Sequence, residues 1–306
     1  MATATSRFLK YAFSKLLVNF TWWVNRKDRA GANVFEGGFL GLDNIGVFDR
    51  SSPLPTGGYL DQADGTAWMV FFSQQMLRIA VELALHEPLY EEFVEKFFQH
   101  TLFIAGAMDR VGERHDEMWD EEDGFFYDVL RFPDGSATRL KVRSIVGLLP
   151  LAAVAVFEED ILEKLPKFRE RARAFGRRHP ELVANMHLPD QAGVVNRRML
   201  SIVDEKKLRR ILARMLDEAE FFGPAWHRAL SRFHLDHPYV FQPRRAGASR
   251  GLRAGRFRHR ACSAATPTGA GRCGCPSTSC CTPRCCVSTP TTARTSRSSA
   301  RPAPGG

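Results

Sequence analysis

Apolar residues recur every three to four positions along much of the chain, which predicts a mainly helical protein. Six segments carry this period: 8–23, 68–83, 93–104, 142–157, 160–177 and 208–216. The segment 142–157 is apolar on nearly all sides and predicts a helix buried from both directions, with Pro150 either kinking it or marking its first turn. Asp204 precedes the last segment as a candidate N-cap.

Strand signals are confined to short pieces. Phe125–Leu130 is one of them, and Pro133-Asp134-Gly135 follows it as a turn. Apolar and one-sided helical segments alternate, and long polar loops join some of them, at 25–62, 108–139 and 178–200. This pattern is typical of stacked helical hairpins. We therefore predict an all-α fold, a partial (α/α)6 toroid of about half the ring, whose loops build a cleft at one end.

The composition changes abruptly after Phe241. Residues 242–306 contain all seven Cys and twelve of the 43 basic residues, but no Lys, Asp or Glu. The preceding residues therefore carry 31 basic side chains against all 34 acidic ones, a net charge of −3, while the tail carries +12. The basic balance of the whole chain comes from the tail alone, so it does not make the folded part a nucleic-acid binder.

Residues 242–306 are too poor in large apolar side chains to form a core, which predicts a disordered tail. The composition also resembles GC-rich coding DNA translated in the wrong frame. Permitted codons for residues 262–276, shifted by one base, can read LFGGNSNWRGPVWMP. We therefore predict two regions, a toroid domain at 1–241 and a frameshifted tail at 242–306. The tail has too few aromatic residues to stack bases, which argues against a nucleic-acid partner.

No apolar run reaches the length of a membrane span, so we expect no membrane association. Arg7, Lys10 and Lys15 interrupt the apolar stretch at the start, which argues against a signal peptide. A cytoplasmic location follows by default. The Cys spacings in the tail do not fit zinc, and Pro238 argues against a helical zinc pair at His234 and His237. We therefore expect no metal and no cofactor.

Asp43 is the strongest candidate for chemistry. Nearby glycines let the backbone approach a ligand closely, namely Gly37, Gly38 and Gly41. The neighbouring apolar side chains would partly desolvate its carboxyl group: Phe39, Leu42 and Phe48. Desolvation raises the pKa of a carboxyl group and suits a general acid. The alternative is a turn aspartate that bonds its own backbone.

Three other aspartates have weaker claims to a catalytic role. Asp49 either serves the site or forms a simple ion pair with Arg50. Asp61 and Asp64 either serve the site or cap the helix that contains Trp68. The stretch WDEEDGFFY at 119–127 lacks the ligand spacing of a calcium loop and indicates a solvated turn leading into an aromatic strand.

Trp22 and Trp23 place two indoles beside polar side chains, among them Lys27 and Asp28. Aromatic faces next to hydrogen-bonding groups suit sugar binding, because a pyranose has one apolar C–H face and a polar rim. The alternative is that one Trp packs in the core and the other lies at a helix end. The sequence leaves both open.

Several segments together resemble the bacterial branch of glycoside hydrolase family 63 in type, order and spacing. They are TWWVNRKD, NVFEGGFLGLDNIGVFDRS, PTGGYLDQADGTAWM, WDEEDGFFYD, LKVRSIVGLLPL and SRFHLDHPYVF. The match covers roughly residues 8–241. The shifted-frame string from the tail is similar to the next segment of the family.

The family consists of inverting glucosidases and related enzymes acting on α-linked glucose or mannose, built on an (α/α)6 toroid. The resemblance implies that Asp43, in a Gly-x-Asp motif, is the general acid. It implies an oligosaccharide substrate, which we expect to be bound by Trp22, Trp23, Lys27, Asp28, Gly41, Asp49, Asp64 and Trp68. The family's general base is a Glu in a later segment without a counterpart here, and the family carries several hundred residues before TWWVNRKD. We therefore expect an inactive fragment; the alternative is a non-catalytic sugar-binding remnant or a pseudogene product.

Overall fold

The computed structural model describes residues 2–25, 33–35, 40–109, 117–158, 160–183, 186, 193–224, 227–241 and 252–253. All of these belong to one compact unit, Met1–Ala254. Its α-helices are α1 (Ala2–Val24), α2 (Ala63–Ala84), α3 (Glu91–Met108), α4 (Ile161–Lys164), α5 (Pro166–Arg178), α6 (Pro180–Val183) and α7 (Glu205–Met215). Short 3-10 helices lie at Pro88–Tyr90, Ile145–Ala152, Val194–Asn196 and Arg232–Leu235.

Helices α1, α2 and α3 pack through a cluster of aromatic rings. Phe13 of α1 lies edge-on to Phe97 of α3, with ring centroids 5.9 Å apart. Phe20, about two turns later on α1, contacts Phe72 of α2 and Phe97 of α3, with ring centroids 5.4 and 5.1 Å apart. Edge-to-face pairs at these distances add to the free energy gained by burying the rings. Phe13 and Phe20 are seven residues apart, close to two helical turns, which places both rings on one face of α1.

The strands are short and antiparallel. They are β1 (Tyr59–Asp61), β2 (Trp119–Asp120), β3 (Phe125–Phe126), β4 (Asp128–Arg131), β5 (Ala137–Leu140), β6 (Val154–Phe157), β7 (Arg198–Ser201), β8 (Val240–Phe241) and β9 (Leu252–Arg253). Strand β4 lies between β1 and β5, while β2 pairs with β3, β6 with β7, and β8 with β9. In the three-stranded sheet Asp61 is opposite Val129, and Asp128 is opposite Leu140.

The expectation of an all-α partial toroid is wrong. The described residues are 52% helical and 15% strand, which makes the fold mixed α/β. The strands have two to four residues each, too short to show a clear alternation along the sequence. The predicted strand signal at Phe125–Leu130 corresponds to β3 and most of β4, separated at Tyr127, and the turn at Pro133-Asp134-Gly135 joins β4 to β5 as predicted.

The helix predicted over 142–157 is also wrong. A 3-10 helix occupies Ile145–Ala152, and strand β6 follows it directly. Pro150 cannot donate a backbone hydrogen bond, and Val154 and Val156 favour the strand that pairs with β7. Gly147 also packs very closely: a Cβ built there would lie 2.2 Å from the Phe125 ring and 2.3 Å from the Phe126 carbonyl oxygen.

The other predicted helices are confirmed with shifted ends. The segments 8–23, 68–83 and 93–104 lie within α1, α2 and α3, and the charged segment 160–177 forms α4 and α5, separated at Leu165. Asp204 caps α7 as predicted, since its Oδ1 accepts the N–H of Lys207 at 2.7 Å. The prediction of a disordered, frameshifted tail concerns 242–306, of which only Leu252 and Arg253 are described.

Candidate functional site

The segment before β1 contains a closed loop of residues 43–50, which we call the Asp43 loop. Gly41 has a φ of +73°, a left-handed conformation that costs glycine little. The N–H of Arg50 then donates to the carbonyl oxygen of Asp43 at 3.0 Å. This hydrogen bond ties the two ends of residues 43–50 together and gives Asp43 a defined place at the start of the loop.

The Asp43 carboxyl group is half-buried, and its Oδ1 is enclosed without a hydrogen-bond partner among the described residues. Burial is the main cause that raises its pKa, and the neighbouring Asp49 and Asp64 raise it further. Arg50 opposes them by favouring the charged form. A raised pKa favours the protonated carboxyl group, and a protonated carboxyl group can donate a hydrogen bond, as a general acid must.

Arg50 is the centre of a buried ionic cluster. Its guanidinium donates to Asp64 Oδ2 at 2.9 Å and to Asp128 Oδ2 at 2.8 Å. It also donates to the Leu42 carbonyl at 3.2 Å. The side chains of Arg50 and Asp64 are each only 2% exposed. We call Arg50, Asp64 and Asp128 the Arg50 cluster; it joins the Asp43 loop to α2 and β4.

Asp128 is a site residue that sequence reasoning missed. Its Oδ1 accepts the N–H of Ala63 at 2.9 Å, so it caps the start of α2 from strand β4. Burial and the neighbouring Asp64 raise the pKa of Asp128 to about 6, although Arg50 opposes the shift. Asp128 directly follows the carboxylate-rich stretch at 119–127. No local sequence pattern links it to α2.

The alternatives of an Asp49–Arg50 ion pair and of a helix cap by Asp61 or Asp64 do not describe these aspartates, while Asp49 and Asp64 lie close enough to Asp43 to raise its pKa. Asp49 does not pair simply with Arg50; its Oδ1 accepts the N–H of Ser51 at 3.0 Å, as in an aspartate-initiated turn. The residue before α2 is Gln62, not Asp61 or Asp64. Asp61 instead pairs with Arg131 of β4, and Asp64 belongs to the Arg50 cluster.

The tryptophans predicted to bind substrate are placed differently from one another. Trp22 and Trp23 lie edge-to-face with centroids 4.8 Å apart at the end of α1; Trp22 is 48% exposed, while Trp23 packs against the core. This matches the arrangement with one indole in the core. Trp68 is 42% exposed on α2 beside Phe71. Lys27 and Asp28 lie outside the described residues.

The carboxylates at 119–127 fall into two groups: the side chains of Glu121 and Glu122 are 62% and 90% exposed, as expected for a solvated turn, whereas those of Asp120 and Asp123 are 5% and 17% exposed. Asp123 Oδ1 accepts from Arg143 Nη2 at 2.8 Å, and Arg143 Nη1 donates to Glu220 at 2.8 Å. Lys141 and Arg143 lower the pKa of Asp123 against its burial. Asp123, Lys141 and Arg143 border an open cleft of about 370 Å³, which is also lined by Tyr127, Phe233, His234, His237 and Tyr239.

His234 has a structural role beside this cleft. Its Nε2 accepts the backbone N–H of Arg143 at 2.8 Å, and its Nδ1 lies 3.0 Å from the carbonyl oxygen of His237. Both contacts are satisfied by the neutral ring with a proton on Nδ1. Within the described residues, no group of three or more His, Cys, Asp or Glu side chains is arranged to hold a metal ion.

Comparisons with known proteins give one informative likeness. The chain is 48% identical over 244 residues to the uncharacterized protein YMR196W of Saccharomyces cerevisiae. The alignment covers 76% of this chain and 22% of the yeast protein, so the chain spans about a fifth of this relative's length. No protein-family model matches the chain. Among the described helices, none has the length and apolar character needed to cross a membrane.

Proposed function

We propose that this chain carries the general-acid part of an inverting glycoside hydrolase acting on α-linked glucose, or a related sugar, in oligosaccharides. The observation that supports this most directly is Asp43, whose Oδ1 is enclosed without a partner and whose pKa is raised by burial. A general acid must keep its proton near the working pH, and desolvation shifts the pKa in that direction.

The proposed reaction needs two groups on opposite faces of the sugar. Asp43 gives its proton to the glycosidic oxygen as the bond from that oxygen to C1 breaks. A water molecule attacks C1 from the other face and gives its proton to a second carboxylate, which inverting enzymes hold roughly 6.5–9.5 Å from the acid. The family resemblance places this second carboxylate in a segment that has no recognisable counterpart here, so we expect the chain alone to be inactive in water.

Azide can take the place of the activated water, because it attacks C1 without losing a proton. We expect the chain, given sodium azide and a panel of α-linked glucose disaccharides, to form β-glucosyl azide slowly. A disaccharide is the right substrate because its sugar leaving group needs protonation. Asp43→Asn should lower azide-dependent cleavage by about 10²–10⁴-fold.

The matched control is Asp134→Asn. Asp134 is also a turn aspartate, and it accepts the N–H of Ser136 at 3.0 Å on the β4–β5 hairpin. We expect this variant to keep the full rate of azide product formation. Equal rates in wild type and Asp43→Asn would remove Asp43 from the acid role, and the absence of any azide product would count against a catalytic function.

The second candidate is sugar binding without catalysis, supported by the exposure of Trp22 and Trp68. Exposed indoles can stack on the apolar face of a pyranose. Titration of the chain with maltose should then quench tryptophan fluorescence, and Trp22→Ala or Trp68→Ala should reduce the change. Saturable quenching that is unaffected by Asp43→Asn, together with no azide product, would favour this candidate.

A further inference from the structure

We propose that Arg50 is a positioning residue, whose side chain, held between Asp64 and Asp128, fixes the backbone on which Asp43 is carried. The structural part of this inference stands by itself. Its consequence for catalysis rests on the proposed function, in which Asp43 is the general acid.

Arg50 contacts the Asp43 loop through both its backbone and its side chain. The Arg50 N–H donates to the Asp43 carbonyl at 3.0 Å, and Arg50 Nη1 donates to the Leu42 carbonyl at 3.2 Å. Both peptide units next to the Asp43 Cα are therefore tied to one residue. Rotating either peptide would break one of these hydrogen bonds, so Asp43 keeps a single backbone orientation.

The guanidinium is itself held from two independent elements. Asp64 lies in the first turn of α2, and Asp128 begins strand β4; they accept from Arg50 at 2.9 and 2.8 Å. Gln62 Nε2 also donates to the Arg50 carbonyl at 3.0 Å. The fork geometry of arginine can serve two carboxylates at once, whereas the point charge of lysine cannot hold both in the same way.

The charges around Asp43 make its pKa a measure of the Arg50 side chain that is separate from the stability of the fold. Asp49 and Asp64 favour the protonated carboxyl group, while Arg50 favours the charged one. Removal of the Arg50 charge should therefore raise the Asp43 pKa. An arginine that stabilised the fold at a distance from Asp43 would change the stability of the chain without changing this pKa.

The test uses Arg50→Lys and the double variant Arg50→Gln/Asp128→Asn. The double variant removes one charge of each sign and keeps the net charge of the cluster at −1, now carried by Asp64, which still accepts the N–H of Gly65 at 2.8 Å. The Asp43 pKa is measured by carboxyl ¹³C NMR, with the resonance assigned through Asp43→Asn. Amide hydrogen exchange is followed for residues 42–50.

We expect the Asp43 pKa to rise in the double variant, and exchange at residues 42–50 to become about tenfold faster or more, as loss of the buried hydrogen bonds opens the loop. Arg50→Lys keeps the charge but loses the fork, so it should speed exchange with a smaller change in pKa. The matched control is Arg131→Gln, since Arg131 also pairs with a buried aspartate, Asp61; it should leave both readouts of Asp43 unchanged.

An Asp43 pKa and an exchange rate equal to wild type in the double variant would overturn the inference. A changed pKa and faster exchange, without azide-dependent cleavage in any variant, would keep Arg50 as a positioning residue and sink the proposed glycosidase function. If wild type forms the azide product, Arg50→Lys should lower its rate while the substrate affinity stays similar.

Discussion

Asp128 caps helix α2 from a strand 65 positions further along the chain: its Oδ1 lies 2.9 Å from the backbone nitrogen of Ala63. The same carboxylate accepts from Arg50 through both of its oxygens. One side chain thus satisfies a free N–H at the start of α2 and one side of the Arg50 guanidinium. The start of α2, strand β4 and the Asp43 loop are therefore coupled at this residue.

Asp128→Ala should destabilise the chain strongly. The substitution removes the cap on Ala63 and leaves the buried Arg50 with Asp64 as its remaining carboxylate, and breaking a buried pair typically costs about 3–5 kcal/mol. Asp204→Ala is the matched control, because Asp204 caps α7 without a buried cation and its loss should cost only about 1 kcal/mol. Urea denaturation measures both, and equal costs would contradict the coupling at Asp128.

Gly147→Ala should also destabilise the fold, by roughly 2 kcal/mol or more. A Cβ there would lie 2.2 Å from Phe125 and 2.3 Å from a backbone oxygen, and neither can move freely in the core. Gly176→Ala is the control: its Cβ would meet nothing within 4 Å on α5, so it should stabilise by about 0.5–1 kcal/mol. A tolerated Gly147→Ala would show that the 3-10 segment packs less closely.

Phe13→Ala should cost about 3–5 kcal/mol, because its ring is 2% exposed and contacts α3 and the segment before it. Phe8→Ala on the same helix removes a ring that is 67% exposed and should change stability by no more than about 0.5 kcal/mol. Chemical denaturation of the two variants separates them. Similar effects would mean that α1 does not pack on α3 through this face.

His234 should make the chain less stable as the pH falls. Burial is the main cause that lowers its pKa below the ordinary value of 6.5, so the unfolded chain binds this proton more readily than the folded one. The stability contributed by neutral His234 is present above about pH 6.5 and is lost as the pH falls through the lower, folded pKa. Protonation also removes the acceptor for the Arg143 N–H.

His234→Gln tests this pH dependence. The slope of unfolding free energy against pH, measured between about pH 8 and pH 5, should be smaller in the variant than in wild type. Asp128 acts in the opposite direction, because its raised pKa of about 6 makes the folded chain bind a proton more readily. Asp128 is present in both proteins, so its contribution cancels when the slope of His234→Gln is compared with that of wild type. Identical slopes would show that His234 is not held neutral by the fold.

Local patterns predicted the elements that depend on local contacts. The period of Phe13, Phe20 and Leu83 indicates helix faces that the structure uses, and Asp204 lies next to the helix that it caps. The turn at Pro133-Asp134-Gly135 is similar, because its residue types favour that backbone conformation by themselves. The helix over 142–157 failed for the opposite reason: its apolar residues serve a strand whose partner, β7, lies more than forty residues later.

The candidate site divides in the same way. Gly41, Asp43 and Asp64 can be identified as candidates from residue types and their order along the chain, whereas Asp128 cannot. The sequence by itself determined which residues could take part and which segments prefer to be helical. Only the tertiary structure decided that Arg50 binds Asp64 and Asp128, that Asp128 caps α2, and that Asp43 Oδ1 is enclosed without a partner. Burial, hydrogen bonding and pKa depend on groups brought together from distant positions, and no local pattern encodes those distances.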